Sequence, residues 1–231
     1  MQVNLYLIRH GESEYNVDKD VRLSKMDWDV KLTKKGVEQS IRVGKLLTNI
    51  DILPPSIYTY AYVSPFKRAQ QTYSNIKNQL NNSFISKIDE PLISEQRTPL
   101  YYGNMLKKTY DDFLKTNKQN VFWAKYLDYE AGFEVYQRAE IFKNKLERHI
   151  YSLIENTTSS RTEINILMIT HGFFMRTMLM CILNLNINKF HKLKNPEHCE
   201  IIKLSNNVDI TDSSQIFHTF YTDWIQENIK I

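Results

Sequence analysis

The residues best able to do chemistry are Arg9, His10, Gly11 and Glu12, which directly follow the apolar run of residues 3–8. Such a run is typical of a buried strand. In open α/β sheets ligands collect at the carboxyl end of such a strand, where the next loop and helix present free N–H groups to an anion. There a histidine can attack phosphorus and an adjacent arginine can hold a phosphate. Either Glu12 or a backbone carbonyl would fix the tautomer of His10.

Two further segments place matching chemistry at the ends of other predicted strands. Arg68 lies in the segment SPFKRAQQT, and His171 lies in the segment THG. Arg9 and Arg68 would form a phosphate clamp, because planar guanidinium groups suit the three equatorial oxygens of a phosphoryl group in transfer. His171 would stabilise those oxygens, and the Gly172 N–H would approach them closely because glycine has no side chain.

Taken together, these motifs resemble the histidine phosphatase superfamily, also called the phosphoglycerate mutase-like family. The matching segments follow the family order and are residues 7–13, 32–36 with Gln39, 64–72 and 170–172. The resemblance covers most of the chain, from about residue 3 to residue 204. It implies an α/β fold, a three-layer sandwich in which helices flank both faces of a mostly parallel mixed sheet. It also implies a phosphohistidine intermediate on His10.

The same resemblance suggests roles for two more residues. Asn16 matches a family position that donates an amide hydrogen bond to the phosphate, although an asparagine could equally serve here to stabilise the loop. Glu95 matches the family's general acid, which protonates the leaving oxygen and later activates water. The spacing from Glu95 to Gly103 is longer than is usual in the family. Glu130 and Glu134 are therefore the alternative proton donors.

We expect a phosphomonoester hydrolase that acts on a small phosphorylated substrate and uses neither a metal nor another cofactor. No His-x-x-x-His pair or carboxylate cluster surrounds either histidine, so the sequence predicts no metal site. The main alternative is a phosphoglycerate mutase. The chain continues from Glu95 with Gln-Arg-Thr-Pro rather than the mutase pattern Arg-His-Tyr-Gly, and it has no adjacent pair of arginines. A non-catalytic phosphate-binding protein is the third alternative, disfavoured because both arginines and both histidines are present.

The composition is that of a soluble globular protein. The 231 residues are 42% hydrophobic and 24% charged, which suits a single domain with a large core. Thirty basic and 26 acidic groups give a net charge of +4, and no run of like charge indicates nucleic-acid binding. We expect no membrane partner, since no stretch approaches the length of an apolar span. Two cysteines and the lack of a leader peptide predict a cytoplasmic protein. The sequence does not decide whether the protein forms a homodimer.

Hydrophobic periodicity predicts the elements that position these residues. Helices are predicted over residues 34–48, 65–76, 134–154 and 173–183, and strands over 3–8, 60–63, 84–88, 164–169, 200–205 and 215–221. Thr33 and Ser64 are the predicted caps of the first two helices. Trp28 is predicted to pack down the polar loop over 11–32. The aromatic-rich residues 96–130, with a helix over 105–114, would form an insertion over the active site.

Overall fold

The chain forms one mixed five-stranded sheet. The computed structural model describes residues 2–48, 59–80, 85–97, 122–127, 129–156 and 163–206, with positions 109, 112, 113, 115 and 116. The strands are β1 (Gln2–Arg9), β2 (Thr59–Val63), β3 (Ile85–Asp89), β4 (Glu163–Thr170) and β5 (Ile201–Asn206). Their order in the sheet is β3-β2-β4-β1-β5. The first four run parallel and β5 runs antiparallel to β1. The mostly parallel mixed sheet is therefore confirmed, while the strand predicted over 215–221 lies outside the described residues.

Helices cover both faces of this sheet, which confirms the three-layer sandwich. They are α1 (Glu14–Val17), α2 (Lys34–Leu47), α3 (Lys67–Lys77), α4 (Gly132–Glu155), α5 (Gly172–Ile182) and α6 (Ile187–Lys192). Short 3₁₀ turns occur at Lys19–Leu23, Asp27–Asp29 and Pro91–Ile93. One face of the sheet packs against α4 and α5, and the other packs against α2 and α3. Within the described ranges, no helix is long and apolar enough to cross a membrane.

The central strands β1 and β4 are apolar at most of their positions because both of their faces are covered. In β1, Val3, Leu5 and Leu7 pack towards α4 and α5, whereas Tyr6 and Ile8 pack towards α2 and α3. The facing side of α4 buries residues at intervals of three and four, as an amphipathic helix requires. These are Val135, Ala139, Phe142, Leu146 and Ile150.

A buried polar row crosses the three strands β5, β1 and β4 and specifies their register. Asn4 Nδ2 donates to Asn165 Oδ1 at 3.0 Å, and Ser205 Oγ donates to Asn4 Oδ1 at 2.9 Å. A slip of one residue would turn Asn4 to the opposite face and leave these groups unpaired. An unpaired buried polar group costs about 1–3 kcal/mol. The row therefore helps to determine which residues meet at the carboxyl ends of the strands.

Three local predictions have different outcomes. Thr33 caps α2 as predicted, since its Oγ1 accepts from the Gly36 N–H at 3.0 Å. The prediction for Ser64 is wrong, because α3 begins at Lys67 with Phe66 as its N-cap residue. Trp28 does not pack the loop down either, since its side chain is 58% exposed. The helix predicted over 105–114 lies almost entirely outside the described residues.

The loop after β1 is held instead by close backbone packing against the first turn of α2. A Cβ atom at Gly36 would lie 2.0 Å from the Glu12 carbonyl oxygen, and one at Gly11 would lie 2.4 Å from the Gly36 carbonyl oxygen. The Thr33 N–H also donates to that Glu12 oxygen, at 2.9 Å. Both glycines therefore allow two backbone segments to approach each other within a few residues of His10.

We expect Gly36→Ala to lower the free energy of unfolding by about 1–3 kcal/mol, because the methyl group would collide with the Glu12 carbonyl. Urea denaturation measures the change. Without that collision, alanine would stabilise the helix by up to about 1 kcal/mol relative to glycine. A stabilised Gly36→Ala variant would therefore contradict the close packing. Glu38→Ala, at an exposed position of the same helix, is the matched control and should change stability by less than about 0.5 kcal/mol.

Candidate active site

The strand ladders continue one residue beyond the sheet and bring three predicted strand ends together. The His10 N–H donates to the Thr170 carbonyl at 2.9 Å, and the Ser64 N–H donates to the Ile169 carbonyl at 3.0 Å. His10 and His171 consequently lie side by side, with ring centroids 5.1 Å apart. The two histidines are 3% and 0% exposed. The structure thus places both predicted histidines in one buried site.

The tautomer of His10 follows from its contacts. Its Nδ1 lies 2.7 Å from the Gly11 carbonyl oxygen, which only accepts, so Nδ1 carries the proton. Nε2 is then the unprotonated nitrogen, and it accepts from Arg68 Nε at 3.3 Å. Of the two groups considered for this role, it is the backbone carbonyl that binds Nδ1. The Glu12 carboxylate instead accepts from Thr33 Oγ1 and Lys35 Nζ, each at 2.9 Å.

His10 is held in its neutral form by its surroundings. Burial lowers the pKa of His10 well below its ordinary value of 6.5, and the positive charges of Arg68 and Arg9 lower it further. Burial also lowers the pKa of His171 well below 6.5, with Arg68 and His10 as the next contributors. A neutral imidazole whose Nε2 lone pair is free of a proton can act as a nucleophile near pH 7.

Arg68 is oriented by the loop that follows β1. Its Nη1 donates to the Asp27 backbone oxygen at 2.7 Å and to Asp27 Oδ1 at 3.1 Å. The side chains of this ion pair are 4% and 16% exposed. Because Nη1 is bound by Asp27 and Nε donates to His10 Nε2, the planar guanidinium group is fixed beside that unprotonated nitrogen.

His171 is bounded by β2, α3 and the loop after α6. Its Nε2 lies 2.8 Å from Ser64 Oγ, and the ring of Phe66 packs edge-on against it with centroids 5.1 Å apart. The sequence predicted Ser64 to be a helix cap and did not predict this contact with His171. Gly172 opens α5, and a Cβ atom there would lie 2.4 Å from Asn195 Oδ1. The lack of a side chain at residue 172 therefore lets α5 begin against Asn195, directly after His171.

The loop between α6 and β5 adds a histidine that the sequence analysis did not single out. His198 has its ring centroid 6.1 Å from that of His10. Burial lowers the pKa of His198 to about 4, with Arg9 as the next contributor. The same loop accepts a hydrogen bond from Arg9 Nη1 at the Pro196 carbonyl. The strand predicted over 200–205 was the signal that could have identified His198. Because this strand pairs antiparallel with β1, the residues just before it lie next to the end of β1 and therefore near His10.

Several buried nitrogen atoms around His10 lack a hydrogen-bond partner in the part of the chain that the structure describes. They are Arg9 Nε, His171 Nδ1 and His198 Nε2. Buried polar groups in folded proteins are normally paired, so such a group calls for an explanation. Arg9 and Arg68 also interact unfavourably with each other, and an anion between them would relieve that repulsion. The arrangement is therefore suited to an anion with several acceptor oxygens.

Glu95 lies on the wall of a cavity of about 380 Å³ beside this cluster. The Glu95 side chain is half-buried, and its Oε1 accepts from the Gln96 N–H at 3.0 Å. Its charge favours the charged form of Arg9, which places it near the predicted clamp. Glu95 is thus at the position where a general acid could reach a leaving group.

The two alternative proton donors are engaged elsewhere. Glu130 is buried and accepts from Arg138 Nε at 2.7 Å and from the Arg97 N–H at 3.0 Å. Glu134 accepts from the Ala131 N–H at 2.8 Å and pairs with Lys125 at 2.6 Å. Each carboxylate is therefore bound by a cation and by backbone, which favours Glu95 as the donor.

Asn16 stabilises the loop after β1, which is one of the two roles that its sequence position allowed. Its Oδ1 accepts from the Ser13 N–H at 2.9 Å and from Ser13 Oγ at 2.7 Å. These bonds close the turn that begins α1. They use the amide oxygen, so the amide nitrogen is the part of Asn16 that can donate to another group.

The fold and the site together define an α/β protein with a buried site suited to an anion. A family model of the histidine phosphatase superfamily (branch 1) matches residues 5–212. The chain belongs to this superfamily.

Two curated relatives show how far the similarity extends. The phosphoglycerate mutase-like protein AT74 of Arabidopsis thaliana is 28% identical over 203 residues, which cover 85% of this chain and 63% of the relative. The chain therefore spans less than two thirds of the length of that relative. A 2,3-bisphosphoglycerate-dependent phosphoglycerate mutase of Bartonella henselae is 34% identical over 105 residues, or 46% of each chain.

Solved structures share the fold at low sequence identity. A mycobacterial glucosyl-3-phosphoglycerate phosphatase matches with a TM-score of 0.71 and 16% identity, over 96% of this chain and 98% of that one. The α-ribazole phosphatase of Shigella flexneri matches with a TM-score of 0.65 and 20% identity, over 91% of this chain and 92% of that one. These similarities confirm the predicted fold class.

We expect His10 to remain the neutral Nδ1–H tautomer as the pH falls through 6.5, where an unperturbed histidine gains its proton, as measured by ¹⁵N NMR of histidine-labelled protein. In urea, where the protein is unfolded, His10 and His171 should titrate near 6.5, the pKa of an unperturbed histidine. Because the folded protein binds fewer protons, its stability should fall as the pH drops below about 6.5, by up to about 1.4 kcal/mol per pH unit for each buried histidine. A folded-state His10 that titrates near 6.5 would contradict the assignment.

Proposed function

We propose that this protein is a metal-independent phosphomonoester hydrolase that acts on a small phosphorylated substrate through a phosphohistidine on His10. The observation that carries the proposal is the neutral His10, whose unprotonated Nε2 lies beside a fixed arginine. Around it are buried nitrogens that have no hydrogen-bond partner among the described residues. Membership in the histidine phosphatase superfamily supports the same reaction.

In the first step, His10 Nε2 attacks phosphorus as the bond to the leaving oxygen breaks. Arg9 and Arg68 bind the equatorial oxygens, together with His171 Nδ1, the Gly172 N–H and the Asn16 amide nitrogen. Ser64 donates its hydroxyl proton to His171 Nε2, which keeps the proton of that ring on Nδ1. Glu95 transfers its proton to the leaving oxygen, so that an alcohol departs rather than an alkoxide.

In the second step, water attacks the phosphohistidine from the side that the alcohol has left. Glu95, now ionised, takes a proton from that water, and the bond from phosphorus to Nε2 breaks. Phosphorylation withdraws electrons from the imidazole and makes Nδ1–H a stronger donor. The Gly11 carbonyl that binds this proton at 2.7 Å therefore stabilises the intermediate. Release of phosphate restores neutral His10.

A phosphoglycerate mutase is the second candidate function. It is favoured by the 34% identity to the Bartonella henselae mutase, which covers 46% of the chain. Both functions begin with the same phosphohistidine and differ in whether water or a second hydroxyl accepts the phosphoryl group. The hydrolase is preferred because the sequence lacks the paired arginines of the mutase pattern. Incubation of the phosphorylated enzyme with phosphoglycerate would distinguish the two by the phosphorylated product.

The first test is hydrolysis of p-nitrophenyl phosphate after EDTA treatment, by wild type beside His10→Ala. We expect the wild type to turn over, and we expect His10→Ala to lose at least about 1,000-fold in kcat, because no other group can form the covalent intermediate. The wild type alone should give an acid-labile phosphoenzyme. His191→Ala is a matched control, since His191 is exposed on α6, and it should keep the wild-type rate.

Retained turnover in His10→Ala would contradict the covalent mechanism. Loss of wild-type turnover on EDTA treatment would contradict metal independence. If a phosphoenzyme forms but passes its phosphoryl group only to phosphoglycerate, the mutase is the correct assignment.

Glu95→Gln tests the proton donor. An alkyl leaving oxygen needs protonation, whereas a nitrophenolate leaves readily without it. We therefore expect Glu95→Gln to lower kcat for an alkyl phosphate by about 100-fold or more, and to lower phosphoenzyme formation from p-nitrophenyl phosphate much less. Rapid-quench measurement of that step isolates it from hydrolysis of the intermediate. An equal loss on both esters would assign the acid to another group.

A further inference from the structure

A large aromatic side chain is held in an exposed position beside the phosphate clamp. Trp28 occupies the middle of the 3₁₀ turn Asp27–Asp29, and its side chain is 58% exposed. Both of its neighbours are tied to the start of α3. Asp27 accepts from Arg68 at 2.7 and 3.1 Å, and Asp29 pairs with Lys67 at 2.6 Å. The turn that carries Trp28 is therefore anchored on both sides.

Trp28 lines the cavity of about 380 Å³ that also contains Glu95. Phe66 and Pro91 form further apolar parts of the same wall. A short chain of contacts joins this wall to the proposed nucleophile, because Asp27 precedes Trp28 and binds Arg68, which donates to His10 Nε2 at 3.3 Å. Glu95, the proposed proton donor to the leaving oxygen, lines the same cavity, so the leaving group of a bound phosphate ester is expected there.

Most charged groups of the cavity wall are paired. Asp27 pairs with Arg68 at 3.1 Å, and Glu130 pairs with Arg138 at 2.7 Å. The wall also contains Arg97 and the proposed proton donor Glu95. An uncharged group that contacts the aromatic wall therefore covers exposed apolar surface without disturbing these ion pairs.

We propose that Trp28 determines substrate specificity by stacking on a planar ring of the leaving group. The substrate class is a phosphate monoester whose alcohol carries an aromatic or heteroaromatic ring. This inference rests on the proposed function for the position of the phosphate and adds the identity of the leaving group. A tryptophan on an anchored turn suits this role because its backbone is already fixed when the ring binds.

The test compares 2-phenylethyl phosphate with n-propyl phosphate. Both are esters of primary alcohols, so their chemical steps are alike and the ratio of their kcat/KM values reports contacts with the ring. We expect a ratio of about 10 for the wild type, a ratio near 1 for Trp28→Ala and a largely retained ratio for Trp28→Phe. 2-Cyclohexylethyl phosphate, which is also an ester of a primary alcohol, should lie between these two esters, because its ring covers apolar surface but is not planar and cannot stack.

Trp123→Ala is the matched control. Trp123 is 57% exposed, stacks on Phe133 with ring centroids 6.2 Å apart, and is not among the residues that line this cavity. It should keep the wild-type ratio. Competition by inorganic phosphate should persist in Trp28→Ala, which would verify that the phosphate site is intact.

A wild-type ratio near 1, or a ratio that Trp28→Ala leaves unchanged, would overturn the proposal. An equal preference for the cyclohexyl ester would overturn stacking as its basis. If neither ester is hydrolysed, the proposed hydrolase fails, and the same ratio taken from dissociation constants by calorimetry decides the role of Trp28. Loss of the ring preference in Trp28→Ala by that measurement would support it without any turnover.

Discussion

The parallel register of β1 and β4 is the constraint on which the site depends. The ladder pairs Gln2 with Glu163 and continues to Arg9 with Thr170, and the His10 N–H extends it by one further bond to Thr170. Because the two strands end at the same level, the histidine after each of them faces the other. The β2 ladder ends in the same way, and this brings Ser64 Oγ to His171. A shift of register would separate these groups even if every strand still formed.

The site combines buried neutral histidines with the positive charges of two arginines. The two histidines are buried and neutral, while Arg9 and Arg68 bring positive charge to the same place. A buried nitrogen without a hydrogen-bond partner costs about 1–3 kcal/mol in a folded protein, and several around His10 have none among the described residues. The fold supplies that free energy from a core that covers both faces of the sheet. An anion that pairs these groups would recover part of the cost, and binding would therefore stabilise the folded chain.

The 3₁₀ turn Asp27–Asp29 joins the two halves of the site. On one side its Asp27 orients the guanidinium group beside His10, and on the other side its Trp28 lines the cavity that contains Glu95. The position of the proposed phosphate clamp and the shape of the leaving-group wall therefore depend on one short segment. The close contact of Gly36 with Glu12 holds the beginning and the end of the same loop together. The loop after β1 thus has a larger role in the site than its polar sequence indicated.

The sequence by itself determined the elements and the reactive residues, because both depend on local pattern. Apolar runs and helical periodicity predicted the five strands and four longest helices that the structure describes to within a few residues, but not the short helices α1 and α6. The motifs identified Arg9, His10, Arg68 and His171. Tertiary structure decided what those residues touch. The carbonyl of Gly11 binds His10, Asp27 orients Arg68, Ser64 binds His171 rather than capping α3, and His198 joins the site from the far end of the chain. The contact of His10 with Gly11 is local, but each of the others links segments that are far apart in the chain. Only the packing of helices and the register of strands bring those segments together.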